Sequence, residues 1–563
     1  MKNMLRNPMM WIILLAMLLR LFRAQEIGVH LDEATSFFIA SAPVPNIYRL
    51  LMRYMHNAPP LFYILAHFSL LISDSPVAFR LPSIIAGVAG VGLTYRLGKV
   101  VFSERAGLIA AFLLSVSPMH IYSSQEARMY SLFCLFSIMS LLFFFRIMRD
   151  DKKSDWSFWT IVNLLNLYTH FFAGLLIFAQ GLCIAAVAIK MGVRNKRFKE
   201  ASSILKKLVA SAVTTAVLIL PLAPALLHPK GISHPDGSGP LFQGPPLDFV
   251  FFQELFKEFS TRNDASWAYF LLFAGGVCVA TARKNGKAGM LVACFLIPIV
   301  TANAYLRHRS FFEAKYVIMG LPIYLLFIGY GITSLADKAR DRYPEIHRRS
   351  GHAIVVGLAV LLSMFAFFKL AKYYELRGGS GRTLRDNWKH CAEYIKANIS
   401  AGDAIGFYQG YTQYIYDFHD QDEKVMRLWF SPEKDMANLA ERDLLLERKY
   451  NYVLMSLYDG SPDYVAIQNA VRTFERLWMV FSYAYPPEGQ VVLEHFLEEN
   501  YETVETKNFG RGVQLVVYRI RSAETAGAEL QRQILLVGRV PEENIPVLYS
   551  GNQIPISTKQ ENG

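Results

Sequence analysis

The sequence predicts a polytopic α-helical membrane protein, with about eleven spans plus juxtamembrane helices, followed by an extracytoplasmic α/β domain. Three observations predict this. The chain of 563 residues is 53% hydrophobic and only 18% charged, where soluble proteins carry about 25% charge. Apolar runs of near-spanning length recur as far as residue 371 and then stop. Lys and Arg gather in every second connection between those runs, so the net charge of +12 reads as membrane topology rather than nucleic-acid affinity.

The first run lies in MKNMLRNPMMWIILLAMLLRLFRAQE. No small-x-small cleavage site follows it, and Arg20 and Arg23 interrupt its exit. An uncleaved helix with a cytoplasmic N-terminus is expected rather than a signal peptide. Further spans are expected near 80–98, 106–119, 130–147, 156–171, 173–189, 207–227, 266–282, 288–304, 316–335 and 352–371. The run LFYILAHFSLLIS at 61–73 is too short for a hydrocarbon core of about 30 Å. Charge decides its status. If it lies beside the membrane, YRLGKVVFSER, RIMRDDKKSD, IKMGVRNKRFKE, ARKNGK and DKARDRYPEIHRR all become cytoplasmic; if it spans, the later loops invert against the positive-inside rule. The long first loop 24–79, HIYSSQEARMY, YTHFF, loop 228–265 and NAYLRHRSFFEAKY then share the extracytoplasmic face.

Beyond the membrane domain, residues 1–371, the pattern changes. RDNWKHCAEYIKANI reads as an amphipathic helix, DAIGFYQG, YNYVLMSLY, LWMVFSYAY and VQLVVYRI as strands, and VLEHFLEENY as a helix. Segment 372–521 is therefore expected to be a small α/β domain, and 522–563 a tail with little periodicity. Cys134, Cys183, Cys278, Cys294 and Cys391 form no metal or disulfide pattern. HExxH, Walker A, GxSxG and CxxC are absent from the sequence, which argues against zinc protease, ATPase and serine hydrolase chemistry.

The candidate functional residues lie in the loops of one face. LDEATSFF carries the adjacent pair Asp32–Glu33, either solvated loop carboxylates or a working site. Adjacent carboxylates repel, so one can sit protonated while the other stays ionised, which suits a general base beside a binding group. In HNAPPLFY, Pro59–Pro60 begins a juxtamembrane helix, and His56 and Asn57 either cap it or touch a ligand. SSQEARMY places Glu126 and Arg128 at the mouth of a span, as interfacial anchors or as an acid beside a phosphate-binding guanidinium. YTHFF holds His170 in a turn. LRHRSFFEAKYV supplies Arg307, His308, Arg309, Glu313 and Lys315, positive charge where topology disfavours it, which asks for an anionic partner such as a lipid phosphate.

The ordered set LDEA, HNAPPLFYILAH, FRLPSIIAG, SQEARMYSL, YTHFF and EAKYVIMGLP resembles bacterial membrane glycosyltransferases of the C-type (GT-C) superfold, relatives of protein O-mannosyltransferases and of the lipid A aminoarabinose transferase. The likeness covers roughly residues 1–335, and WKHCAEYIKANISAGDAIGFY resembles the soluble domain attached to many of them. The resemblance implies transfer of a sugar from a polyprenyl-phosphate carrier to an acceptor hydroxyl of a glycan, lipid or protein, outside the cytoplasm and with inversion. It implies Asp32 as general base with Glu33 orienting substrate, Arg128 and Lys315 neutralising the lipid phosphate, and Glu126 lining the same cavity. His56, Asn57, His170, Arg307 and Arg309 complete the candidate substrate-binding set. Relatives commonly show His directly before the Pro pair and Arg-Tyr where this chain has Lys315–Tyr316. Some bind a divalent metal, and Asp32, Glu33, His56, Glu126 and His170 are the residues that could hold one here; spacing does not decide it. A transporter or flippase of lipid-linked sugars is the competing class, though such proteins often show inverted repeats and midplane charges, neither of which the sequence displays. The location implied is the bacterial inner membrane.

Overall fold

A computed structural model of the chain describes residues 7–29, 31–52, 58–227, 244–261, 265–307, 312–342, 348–378, 388–408, 412–420, 425–432, 452–458, 461–462, 471–482, 487–509 and 513–520. The chain divides into two compact units, one of Met1–Glu26 with Ile39–Tyr374 and one of Ile27–Phe38 with Glu375–Gly563.

The first unit is helical. Its elements are α1 (Pro8–Leu21), the C-terminal end of α2 (Leu31–Ser41), α3 (Val44–Leu50), α4 (Leu61–Leu70), α5 (Pro76–Val101), α6 (Glu104–Val116), α7 (Pro118–Gln125), α8 (Tyr130–Asp150), α9 (Lys153–Leu167) and α10 (Ala173–Val193). They continue with α11 (Phe198–Leu218), α12 (Ala223–Leu227), α13 (Phe249–Phe259), α14 (Ser266–Ala282), α15 (Gly286–Leu306), α16 (Gly320–Arg342) and α17 (Arg348–Gly378). Among the described residues six helices are long and apolar enough to cross a membrane, seven if α6 and α7, bent by 56° at their junction, count as one. The remaining expected spans fall on the shorter α1, α9 and α14 and on the long α17. The run at 61–73 is the ten-residue α4, about 15 Å long at 1.5 Å per residue, too short to span. The first loop contributes α2, α3 and α4.

Sequence dictates the ends of these helices. Ser75 and Ser103 cap α5 and α6, their hydroxyls accepting from the N–H groups of Ala78 and Ala106 at 3.2 Å. The α5–α6 contact needs two glycines: a Cβ on Gly98 would lie 2.4 Å from the Gly107 Cα. Small residues let membrane helices meet backbone to backbone, where hydrophobicity alone gives no preference over lipid. α16 is the most enclosed of the apolar helices, buried along nearly its whole apolar stretch. Polar side chains tie α8, α9 and α10 together: Ser140 donates to Asn163 or Gln180, at 2.6 and 2.9 Å, and the Trp159 indole donates to Gln180 at 2.8 Å.

The bend between α6 and α7 has a specific cause. Pro118 has no N–H, so the Leu114 carbonyl loses its usual helical donor. Arg20 of α1, fully buried, supplies replacements: its guanidinium donates to Leu114 O at 3.4 Å and Ser115 O at 3.1 Å, and also to Ser124 Oγ at 3.2 Å. It lies 2.6 Å from His120 Nδ1. In return Gln125 donates to the carbonyls of Leu19, Arg20 and Phe22 at 2.9–3.2 Å, closing the C-terminus of α1. Arg80 holds the chain just beyond, donating to Ala24 O at 2.6 Å.

The second unit is built on a seven-stranded mixed sheet. Its strands are β1 (Ala404–Tyr408), β2 (Met426–Pro432), β3 (Tyr452–Tyr458), β4 (Ser461–Pro462), β5 (Arg476–Ser482), β6 (Glu502–Asn508) and β7 (Val513–Arg519), in the order β4-β3-β2-β1-β5-β7-β6. β1, β2, β3 and β5 run parallel, with Phe407 opposite Trp429 and Val480; β4, β7 and β6 pair antiparallel. Helices α18 (Trp388–Asn398), α19 (Gln413–His419) and α20 (Pro487–Asn500) complete it. Leu428, Phe430, Leu477, Met479, Leu493, Leu497 and Val516 belong to its core. The expected helices and strands are present. β2, β4, β6 and α19 were not expected.

Candidate active site

Two groups of candidate residues can be described, one in each unit. In the first unit the turn Glu126–Met129 joins α7 to α8. Glu126 ends α7 in an extended conformation and is fully buried. The Arg128 backbone N–H donates to Glu126 O at 2.8 Å, and its carbonyl accepts from Ser83 Oγ at 3.0 Å, so the turn is fixed at both ends. The motif SSQEARMY therefore divides. Ser124 and Gln125 serve the packing of α1, and Tyr130 lies beside His170 and Lys315.

His170, in the turn between α9 and α10, lies among aromatic rings. It stacks on Phe133 with centroids 4.7 Å apart, meets Phe172 edge-on at 5.3 Å, and lies 6.0 and 6.4 Å from Tyr130 and Tyr316. The Phe172 N–H donates to Nδ1 at 3.1 Å. With Nδ1 accepting, the neutral ring carries its proton on Nε2. Burial, and secondarily the positive charge of Arg128, push the pKa of His170 down to about 3. His170 is thus a neutral donor rather than a cation.

Lys315 completes this group from the 3-10 turn Ala314–Val317. Its ammonium lies 5.2 Å from the Tyr130 ring centroid and 2.7 Å from Glu313 Oε2. Lys315, paired with Glu313, and a donor imidazole thus meet beside Tyr130, and the charge of Arg128 lies near enough to act on His170. Such a set fits a phosphate at the end of an apolar chain.

Asp32 and Glu33 occupy the first turn of α2. The sequence leaves them as solvated loop carboxylates or a working site; the structure places them at a helix N-terminus, where the backbone dipole favours negative charge. Successive helical residues point about 100° apart, and the pair differs accordingly: Asp32 is exposed and Glu33 is 1% exposed. Both belong to the second unit.

A sequence model of a protein family, described as dolichyl-phosphate-mannose-protein mannosyltransferase, matches residues 56–222. Among solved structures, ArnT from Cupriavidus metallidurans in the apo state is similar at 12% identity, with 91% of this chain and 98% of that chain covered and a TM-score of 0.56. This chain has the fold of the C-type membrane glycosyltransferases. The same ArnT bound to undecaprenyl phosphate matches at 11% identity over the same shares of both chains, with a TM-score of 0.54. The apo oligosaccharyltransferase of Archaeoglobus fulgidus matches at 12% identity over 75% of this chain and 64% of that chain, with a TM-score of 0.48. No curated protein matches in sequence. The chain is a multi-pass integral membrane protein.

The remaining candidates behave differently. His56, Asn57, His308 and Arg309 lie outside the described residues. Arg307 is exposed at the end of α15, where its carbonyl accepts from Gly244 N–H at 3.1 Å. Among the described residues no group of three or more His, Cys, Asp or Glu is placed to hold a metal ion. Sequence reasoning did not single out Tyr130, Tyr316, Phe133 and Phe172. Tyr130 and Tyr316 directly follow or nearly follow the charged motif residues, which was the available signal.

Proposed function

We propose that the protein transfers a sugar from a polyprenyl-phosphate carrier to an acceptor hydroxyl at the extracytoplasmic face of the bacterial inner membrane, in glycosylation of an envelope glycan, lipid or protein. The observation that carries this reading is the meeting of Lys315 and neutral His170 at Tyr130, within the field of Arg128. The similar ArnT, whose structure holds undecaprenyl phosphate, supports the carrier class.

The chemistry follows from the donor. The acceptor oxygen attacks the anomeric carbon as the bond from that carbon to the phosphate oxygen breaks, which inverts the configuration. The departing lipid phosphate changes from a diester with one negative charge to a monoester with a second charge developing. Two fixed cations stabilise that growing charge more than they stabilise the ground state, which is what accelerates the step. Nε2–H of His170 adds a donor without adding a charge that would titrate. Asp32 takes the acceptor proton, Glu33 orients substrate, and Glu126 lines the carrier cavity.

The test uses purified full-length protein with labelled undecaprenyl-phosphate hexoses and pentoses and a membrane extract as acceptor. Release of undecaprenyl phosphate with label in a non-carrier product is the expected result. Movement of intact carrier across proteoliposomes without release would establish a flippase instead.

A further inference from the structure

The acidic pair belongs structurally to the second unit. Residues 27–38 form one compact body with the chain from 375 onward, and a named contact holds them there. Phe37 of α2 meets Phe418 of α19 edge-to-face, with centroids 4.9 Å apart and planes at 84°. Phe37 follows Glu33 by four residues, one helical turn, so the two share a face of α2; both are buried. Whatever fixes Phe37 fixes the roll of the helix, and the roll decides where Asp32 and Glu33 point.

α19 has only seven residues, too few to be stable alone. Side chains hold it. Arg427 of β2, fully buried, donates through Nε to Asp417 Oδ1 at 2.9 Å, and Gln413 donates to Asp417 Oδ2 at 2.8 Å. Tyr416 donates to Asp420 Oδ2 at 2.9 Å, while Lys396 of α18 lies 3.3 Å from Asp420 Oδ1. Burial, followed by the charge of Asp420, raises the pKa of Tyr416, which keeps its hydroxyl a donor. Phe418 therefore sits next to the most firmly anchored residue of its helix, with the sheet behind it.

We propose that the C-terminal unit is a working part of the enzyme: Phe418, backed by Asp417 and Arg427, is a positioning residue that sets the roll of α2 through Phe37 and so aims Asp32 at the acceptor proton. The proposal rests on the reading of Asp32 as general base. It gives the soluble domain a role in the chemical step, distinct from acceptor recognition.

The experiment compares full-length Asp32→Asn, Phe37→Ala, Phe418→Ala, Phe418→Tyr and the Phe37→Ala/Phe418→Ala double variant in the carrier-release assay, with rates per folded molecule. Misplacing a reacting group by about 1 Å costs about 100-fold. Phe418→Ala is expected to lower kcat by about 10- to 100-fold, with KM for the carrier changed less than about threefold. Phe418→Tyr, which keeps the ring, should restore most of the rate. The double variant should be no slower than the worse single variant, because both remove one contact. If Phe418→Ala does not fold, Phe37→Ala and Phe418→Leu carry the same comparison. Loss of activity in Asp32→Asn with wild-type kcat in Phe37→Ala and Phe418→Ala overturns the positioning role and leaves the base in place. Near-normal transfer by Asp32→Asn overturns the base reading, and the proposal with it.

Discussion

His170 shows how a single residue is tuned for one role. Its proton can only be donated from Nε2, because Nδ1 already accepts from Phe172. The folded-state pKa of about 3 lies below the roughly 6.5 of an unfolded histidine. The stabilisation from burying the neutral ring is therefore complete above about pH 6.5 and is lost as pH falls toward 3, since the unfolded chain then binds the extra proton. The melting midpoint of detergent-solubilised protein should decline as the buffer is taken from about pH 7 to about 5. His170→Gln should flatten part of that decline, and equal slopes in both proteins would remove His170 as the cause. Lys315→Gln removes a charge from the phosphate end. A charge-assisted hydrogen bond is worth about 1.5–3 kcal/mol, so undecaprenyl phosphate should bind about tenfold more weakly or worse, as read by titration. Unchanged affinity would make Lys315 only the partner of Glu313. Asp32→Asn should cost turnover about 10²–10⁴-fold and leave carrier affinity near wild type.

The α6–α7 bend is the element whose failure is easiest to foresee. Arg20→Leu leaves the Ser115 carbonyl without its guanidinium donor in a buried place, while the Leu114 carbonyl keeps the Ser117 N–H at 3.3 Å. Each buried orphan costs about 1–3 kcal/mol, so the variant should melt well below the wild type in a fluorescence unfolding scan while its surviving fraction turns over normally. A wild-type midpoint would mean that another donor takes over. The sequence showed Arg20 only as an interruption of an apolar run. Its partners are about a hundred residues away, and local periodicity carries no record of them. β6 was hidden for a different reason: ETVETKN is exposed along nearly its whole length, the charged edge a sheet uses against further pairing, so no apolar alternation marks it. α19 was hidden because its stability comes from Asp417 and Arg427 rather than from its own seven residues. The helices of the membrane unit were legible because lipid imposes length and apolarity on each separately.

At the scale of the whole molecule, charge asymmetry predicts sidedness. Single cysteines placed near Gly237, Asn303 and Asp403 should react in intact cells with an impermeant thiol reagent, and those near Lys152 and Arg197 should not. Labelling near Lys152 from outside would require residues 61–73 to cross the membrane, against the ten-residue length of α4. The candidate site was legible in its charges and not in its rings. Arg128, His170 and Lys315 announce themselves because charge is scarce in such a chain. Tyr130, Phe133, Phe172 and Tyr316 are four among 69 Phe and Tyr residues, and only folding selects them.

The Arg20 contacts also set a schedule for synthesis. The first helix leaves the ribosome with a guanidinium whose acceptors, at 114, 115 and 124, do not yet exist. At about 5–20 residues per second, the nascent chain waits roughly 5–20 seconds before α6 and α7 can receive it. During that interval Arg20, in the last turn of α1, remains at the membrane surface or beside the insertion machinery, because a lone charge is costly to place in hydrocarbon. The first helix is made first and seated late, and the protein's N-terminus is finished only when its second hundred residues have begun to appear.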